Sequence, residues 1–322
     1  MAFTGVGFAA ATTFWPLLFI AAVGTLNPSA GDVSIFLPTE QAALANTASG
    51  HDRTRLFAVY NVAGNLAGAF GALASGAPGL IARVWGVDLV RAEQAGFLLY
   101  AAIAFASGAI YVGLGRSVES PVTASAPLRR SRSIVLRLAA LFSLDSFGGG
   151  FAIQSLLVLW LSQRFHLSLE ALAAVFFGAG IAGALSQLVS PVLAGRIGLV
   201  RTMVYTHVPA NLFLIAAGLA PTAPVAVGFL LLRAALSQMD VPPRQAYVMA
   251  VVPPEERAAA ASVTNVPRSL AAAIPPLFTG LMLSASPIGW PLVCGGLLKL
   301  TYDLLLLAQF RSVPAASIGE SP

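Results

Sequence analysis

Seven ionisable residues lie inside long apolar stretches of this chain: Asp32, Asp145, Arg233, Asp240, Arg268, Lys299 and Asp303. A charge in a low-dielectric surrounding is costly unless it is paired or faces a water-filled path, so these groups hold one another, a charged solute or a proton. Arg233, Ser237, Asp240 and Arg244 are spaced i, i+4, i+7 and i+11, which predicts one polar stripe on a single helical face. For Asp240 and Arg244 an ion pair closing one end competes with a substrate or coupling path. Lys299 and Asp303 are i and i+4 with Tyr302 between them, a spacing that lets them neutralise each other. Asp145 has no basic residue at i±3 or i±4, so its partner must be another helix, a cation or a proton. It is therefore a candidate coupling acid, with an interhelical pair to Arg233 or Arg268 as the alternative. Asp32, beside Asn27 and Pro28, is the candidate from the first part of the chain.

The elements that carry these residues are apolar helices. Of 322 residues 57% are hydrophobic and 10% charged, and the mean hydropathy is +0.82. Too few charges exist to coat a soluble globule of this size, so most of the surface must face lipid or other helices. The net charge of +5 sits in short connections rather than on a continuous basic face, which argues against nucleic acid. A single cysteine, Cys294 in an apolar run, excludes a disulfide framework and reads as packing. Metal ligands and cofactor motifs are not expected: neither His-Glu-x-x-His nor Gly-x-Ser-x-Gly occurs, which leaves a membrane enzyme as the weakest class. His51 reads as solvated in a charged turn, and His166 and His207 as satisfied or solvated residues near span ends.

A helix needs about 20 residues to cross roughly 30 Å of hydrocarbon. Residues 2–13 are apolar but too short, and read as the end of a helix. Spans are predicted at 14–45, 56–80 and 94–114, then at 135–163, 170–194, 202–220, 223–249, 258–284 and 288–311: nine spans and a remnant. Residues 115–134 break the pattern with Ser, Pro and the basic run Arg129-Arg130-Ser131-Arg132. They divide an N-terminal bundle (1–114) from a C-terminal six-helix bundle (135–312), with 313–322 as a tail. Gly64, Gly68 and Gly71, then Gly148 to Gly150, then Gly178, Gly180 and Gly183 form small-residue stripes that let helices approach closely.

The string from Pro38 to Gly76 returns from Pro242 to Gly280 at a constant offset of 204 residues, with no gap. Pro38 pairs with Pro242, Gln41 with Gln245, Arg53 with Arg257, Asn61 with Asn265 and Gly76 with Gly280. Polar and backbone-special residues in register mark an internal duplication, and parallel repeats of apolar helices are a mark of secondary transporters. Arg53 and Arg257 are candidate gating residues at matched turns. Alternate connections collect Arg53, Arg55, Arg116, Arg129, Arg130, Arg132, Arg137, Arg196, Arg201, Arg244, Arg257 and Arg311 on one side, against Arg83, Arg91 and Arg164 on the other. The rich side, with the C-terminus, is expected to be cytoplasmic.

Arg233-x6-Asp240-Val-Pro-Pro-Arg244-Gln245, Val252-Pro-Pro-Glu-Glu-Arg257, Ser262-Val-Thr-Asn265-x2-Arg268 and Pro275-Pro276-x3-Gly280 resemble the tenth and eleventh helices of a major facilitator superfamily transporter. Ala194-Gly195-Arg196-Ile197-Gly198-x2-Arg201 resembles that superfamily's basic loop signature without its acidic residue. The resemblance implies an all-α membrane protein of two helical bundles joined by a cytoplasmic linker. Against that pattern the first bundle reads as lacking its first two helices and the start of the third, as a late start codon would produce. Where the family's antiport signature has Gly-Pro, this chain has Gly71-Ala72. The function implied is secondary active transport by alternating access: proton-coupled movement, with export expected, of a small organic solute or drug. A monomer in a bacterial cytoplasmic membrane is expected, the arginine-over-lysine usage pointing to a GC-rich genome. A non-transporting membrane protein or inactive remnant stays open as the alternative.

Overall fold

A computed structural model of the chain describes residues 1–24, 44, 50–113 and 127–311. Its elements are helices α1 (Ala2–Ala10), α2 (Phe14–Val23), α3 (Gly50–Ala74), α4 (Ala77–Trp85), α5 (Leu89–Gly113), α6 (Arg132–Gly150), α7 (Gln154–Phe165), α8 (Leu169–Ile197), α9 (Leu199–Leu219), α10 (Ala223–Ser237), α11 (Val241–Ala250), α12 (Arg257–Ala273), α13 (Pro275–Ala285) and α14 (Trp290–Phe310). A 3₁₀ turn, Pro254–Glu256, precedes α12.

Eight segments among the described residues are long and apolar enough to cross a membrane. They coincide with eight of the nine expected spans. Of the expected 14–45 span, Phe14–Val23 is described as a helix, and residues 25–43, Asp32 included, lie outside the described residues. Four of the eight are helix pairs with a break where the sequence supplies one. Gly148-Gly149-Gly150 ends α6, and Pro275 opens α13 because its ring cannot continue α12. Pro242 and Pro243 occupy the first turn of α11, where no intrahelical N–H is needed. That third break corrects the single-face reading of Arg233 to Arg244: α10 ends at Ser237 and a turn at 238–240 intervenes.

The main packings are α3 along α8, α12 along α6, α9 between α10 and α14, α14 on α6, and α1 on α5. Glycines set the closest of them, since a Cβ on Gly180 would come within 2.6 Å of Ala69 on α3. A Cβ on Gly218 would lie 2.6 Å from the Gly289 carbonyl oxygen, where the loop before α14 meets α9. The stripe expected at Gly64 and Gly71 is not such a contact, because both face open space and Ala69 makes the approach to α8 instead.

Two apolar clusters fill residues 132–311. One gathers Phe142, Met203, Tyr247, Met249, Tyr302 and Leu306; the other gathers Trp160, Leu161, Leu214, Ala217, Leu230 and Leu292. On α6, α9 and α14, Asp145, Asn211 and Lys299 lie between the clusters while His207 and Asp303 border the first beside Val208 and Tyr302, and the five form a polar layer. Outward faces carry exposed Leu188, Val192, Leu212, Leu270, Leu277, Leu281 and Leu304, surface suited to lipid. Cys294 is half-buried on α14.

Candidate functional site

The polar layer is assembled by close helix approach. A Cβ on Gly148 would lie 3.0 Å from the Gly295 carbonyl oxygen and 3.0 Å from Cγ of Lys299, and one on Gly149 3.4 Å from Lys299 Cε. The two glycines thus leave a groove on α6 for the lysine stem. Its Nζ runs along that groove to Asp145 Oδ1 at 2.6 Å. On the other flank Gly296 packs against α9, where a Cβ would meet the Asn211 carbonyl oxygen at 3.0 Å, and this brings Asn211 and His207 up to Asp303.

Asp145 is 4% exposed and engaged on both oxygens. Arg244 Nη1 donates to Oδ2 at 3.3 Å, lies 3.7 Å from Asp240, and its guanidinium sits 5.7 Å from the Phe142 ring centroid. His207 Nε2 lies 3.8 Å from Asp145 Oδ1, while Nδ1 is 2.8 Å from Asp303 Oδ1. Asn211 Nδ2 donates to the other Asp303 oxygen at 2.9 Å. One imidazole therefore bridges two carboxylates. With Nδ1–H donating to Asp303, the Nε2 lone pair faces Asp145, and a proton taken there turns that contact into an ion pair.

This arrangement corrects three expectations. Lys299 does not make its ion pair with Asp303: its Nζ crosses to Asp145 on α6, and Asp303 is held by α9. Asp145 does find its partners on other helices, but they are Lys299 and Arg244, whereas Arg268 Nε donates to the neighbouring Ser146 Oγ at 2.8 Å. His207, read as near a span end, lies well inside α9 and is 4% exposed. It is satisfied, as expected, but it is also the centre of the network. The legible signal was the series Thr202, Thr206, His207 and Asn211, all buried polar residues on α9.

Arg233 sits near enough to feel the charge of Asp145, and its buried Nε has no hydrogen-bond partner among the described residues. The hydroxyl of Tyr302, edge-on to both Phe142 and His207, is likewise without a partner. An unsatisfied buried donor is costly in place and is what a ligand or water would complete.

Near the matched turns, Asn61 Nδ2 of the first copy donates to Gln245 Oε1 of the second at 2.7 Å. Arg257, which matches Arg53 of the first copy, donates from Nε to the Met249 carbonyl at 3.3 Å. Arg83 pairs with Glu170 at the opposite end of the helices, where Arg164 donates to the Pro287 and Ala220 carbonyls.

Residues 1–276 match the family model of the Major Facilitator Superfamily. An uncharacterized membrane protein of Saccharomyces cerevisiae is 26% identical over 351 residues, an alignment spanning 98% of this chain and 78% of the yeast protein. The crystal structure of the human organic anion transporter MFSD10 (TETRAN) shares the fold with a TM-score of 0.64 at 20% identity, covering 95% of this chain and 74% of that one. The chain is a helical membrane protein that belongs to the Major Facilitator Superfamily.

Proposed function

We propose that the protein moves a small organic solute across the membrane by alternating access, and that proton movement through the Asp145, His207 and Asp303 cluster drives it. The observation that carries this reading is the imidazole held between two buried carboxylates, with Lys299 and Arg244 completing the charge balance. Protonation of that imidazole strengthens its hold on Asp145 and weakens the claim of Lys299 on the same oxygen. The change lets α14 shift against α6 along their glycine contact, which is a bistable element of the kind alternating access requires.

Arg233, with its unpartnered Nε, supports an anionic group on the solute, in line with the transporter named among the similar structures. Asp240 and Arg268 line the same region in this reading, while Arg53, Arg257 and Arg244 close one end. The protein acts as a monomer. The arginine-rich end faces the cytoplasm of a bacterial cell and transport runs outward. Orientation follows the arginine count, the bacterial setting the arginine-over-lysine usage, and the direction the family resemblance.

The test is flux in proteoliposomes holding the purified chain, with fluorescein as the organic anion and an imposed pH gradient. Gradient-driven accumulation of dye in the wild type, lost in Asp145→Asn and in His207→Gln while dye exchange without a gradient survives, is the expected result. Accumulation unchanged in both variants removes the coupling role of the cluster. Failure to move fluorescein or any of a panel of organic cations and neutral solutes overturns transport in favour of a non-transporting membrane protein.

A further inference from the structure

Four arginines outside the polar layer form a second charged feature. Arg130 and Arg137, with Ser133 and Gln309, line an open cleft of about 400 Å³ between the start of α6 and the last turn of α14. Arg201, Tyr205 and Arg311 line another of about 390 Å³, between the start of α9 and the other flank of that same turn. Among the described residues no acidic residue lines either cleft. Among the described residues none of these four guanidinium groups has a carboxylate within ion-pair distance.

The wall of the first cleft is fixed. The Glu256 carboxylate accepts from the backbone N–H of Arg129, Arg130 and Ser131 at 3.1, 3.0 and 3.2 Å and from the Ser131 hydroxyl. Its charge is spent on that backbone, and the Arg130 side chain is left directed at solvent. Immediately beyond the arginines the outer surface turns apolar, with Leu136, Tyr205, Leu212 and Leu304 each 48–65% exposed. Exposed guanidinium groups at the edge of a lipid-facing surface suit phospholipid phosphates, with leucines below them for acyl chains.

We infer that these two clefts bind the phosphate groups of anionic phospholipid, one on each side of the last turn of α14, with the acyl chains along the exposed leucines. A soluble phosphate compound would share the arginine contacts but has no use for the apolar strip, and this favours lipid as the source. The inference needs the membrane setting only and does not depend on what the protein transports.

The experiment uses the full chain in phosphatidylcholine mixed micelles, with phosphatidylglycerol titrated in. The readouts are the apparent melting midpoint and the number of phosphatidylglycerol molecules retained in native mass spectrometry. The wild type is expected to gain several degrees and to retain one or two lipids. Arg130→Ala with Arg137→Ala, and Arg201→Ala with Arg311→Ala, are each expected to lose about half of the gain and one lipid. Their midpoints in pure phosphatidylcholine should stay unchanged, because the removed groups are exposed and unpaired. Arg91→Ala, at the opposite end, serves as control and should behave as wild type. An equal gain in all variants, or none in the wild type, overturns the site. The same gain from inorganic phosphate alone overturns lipid as its occupant.

Discussion

The two copies of the repeat place helices alike and furnish them differently. In the second half of the chain α9 packs on α14, and in the first half α1 packs on α5. At the offset of 204, Lys299 and Asp303 match Ala95 and Leu99, while His207 and Asn211 match Phe3 and Gly7. Arg268 of α12 matches Gly64 of α3. The first pair is joined by Phe8 stacked on Phe97 at 5.1 Å and by Gly5 against Ala101 and the Phe97 carbonyl. Among the described residues it uses no ion pair. The same helix contact therefore stands without charges, and those of α9 and α14 are not demanded by the packing of the two helices. Replacing a buried ion pair by apolar residues is often neutral for stability, so the polar set His207, Asn211, Lys299 and Asp303, matched by Phe3, Gly7, Ala95 and Leu99, is best explained by what it does.

The largest expected effect comes from unbalancing that network. Lys299→Ala leaves Asp145 with half its compensation, and Asp145→Leu strands both Lys299 and Arg244; each should cost about 3–5 kcal/mol. Asp145→Asn combined with Lys299→Met removes both charges of the pair and should recover most of the loss in a melting experiment, while gradient-driven flux stays absent. If the pair of substitutions melts as low as either alone, the charges are structural and the comparison loses its functional meaning.

Next comes the groove that aims the lysine. Gly148→Ala puts a methyl 3.0 Å from the Gly295 carbonyl oxygen and Lys299 Cγ, and overpacking of this kind costs about 1–3 kcal/mol. The same variant should reduce gradient-driven flux with Asp145 untouched, because the α6 to α14 spacing sets the ion pair. Wild-type stability and flux in Gly148→Ala would show that the approach is not needed.

A third contrast lies at the matched turns, where Glu256 corresponds to Asp52. Glu256 is 5% exposed and satisfies three backbone N–H groups ahead of α6, whereas Asp52 is exposed. Glu256→Ala should cost about 1–3 kcal/mol by leaving buried donors unmade, and should speed amide exchange at residues 129–131. Asp52→Ala should stay within about 0.5 kcal/mol of wild type. Equal effects would mean that the two acids do the same work.

The differences between the copies also mark what could be read from the chain. The repeat and eight of the spans were legible because hydropathy and fixed spacing are local properties of the string. So were the buried charges Asp145, Asp240, Lys299 and Asp303 as isolated facts, while Arg233 and Arg268 are half-buried and Asp32 lies outside the described residues. The partner of Asp145 was not, since it depends on Gly148, Gly149 and Gly295 letting α14 close on α6, and three glycines carry no direction. His207 was misplaced through a helix boundary: α9 begins at Leu199 rather than near 202, which moves the imidazole a turn deeper. The break between Arg233 and Arg244 was readable, because Val241-Pro242-Pro243 disfavours helix in the residues just before it.

The smallest effect tests the open face of the first copy. Gly64 lies in mid-α3 with nothing within 4 Å of an added Cβ, and Gly71 is the same. A glycine inside a helix gives up more conformational freedom on folding than alanine, so Gly64→Ala should raise stability by about 0.5–1 kcal/mol. Its second-copy counterpart, Arg268, holds Ser146 beside Asp145, so Arg268→Ala should lower stability and flux together. Opposite signs at one repeat position, read in one melting experiment, would place the asymmetry in the side chains rather than in the helices. A loss of stability in Gly64→Ala would mean that this face of α3 is covered in the membrane, and the claim that the first copy packs without the second copy's polar contacts would then fail at that helix.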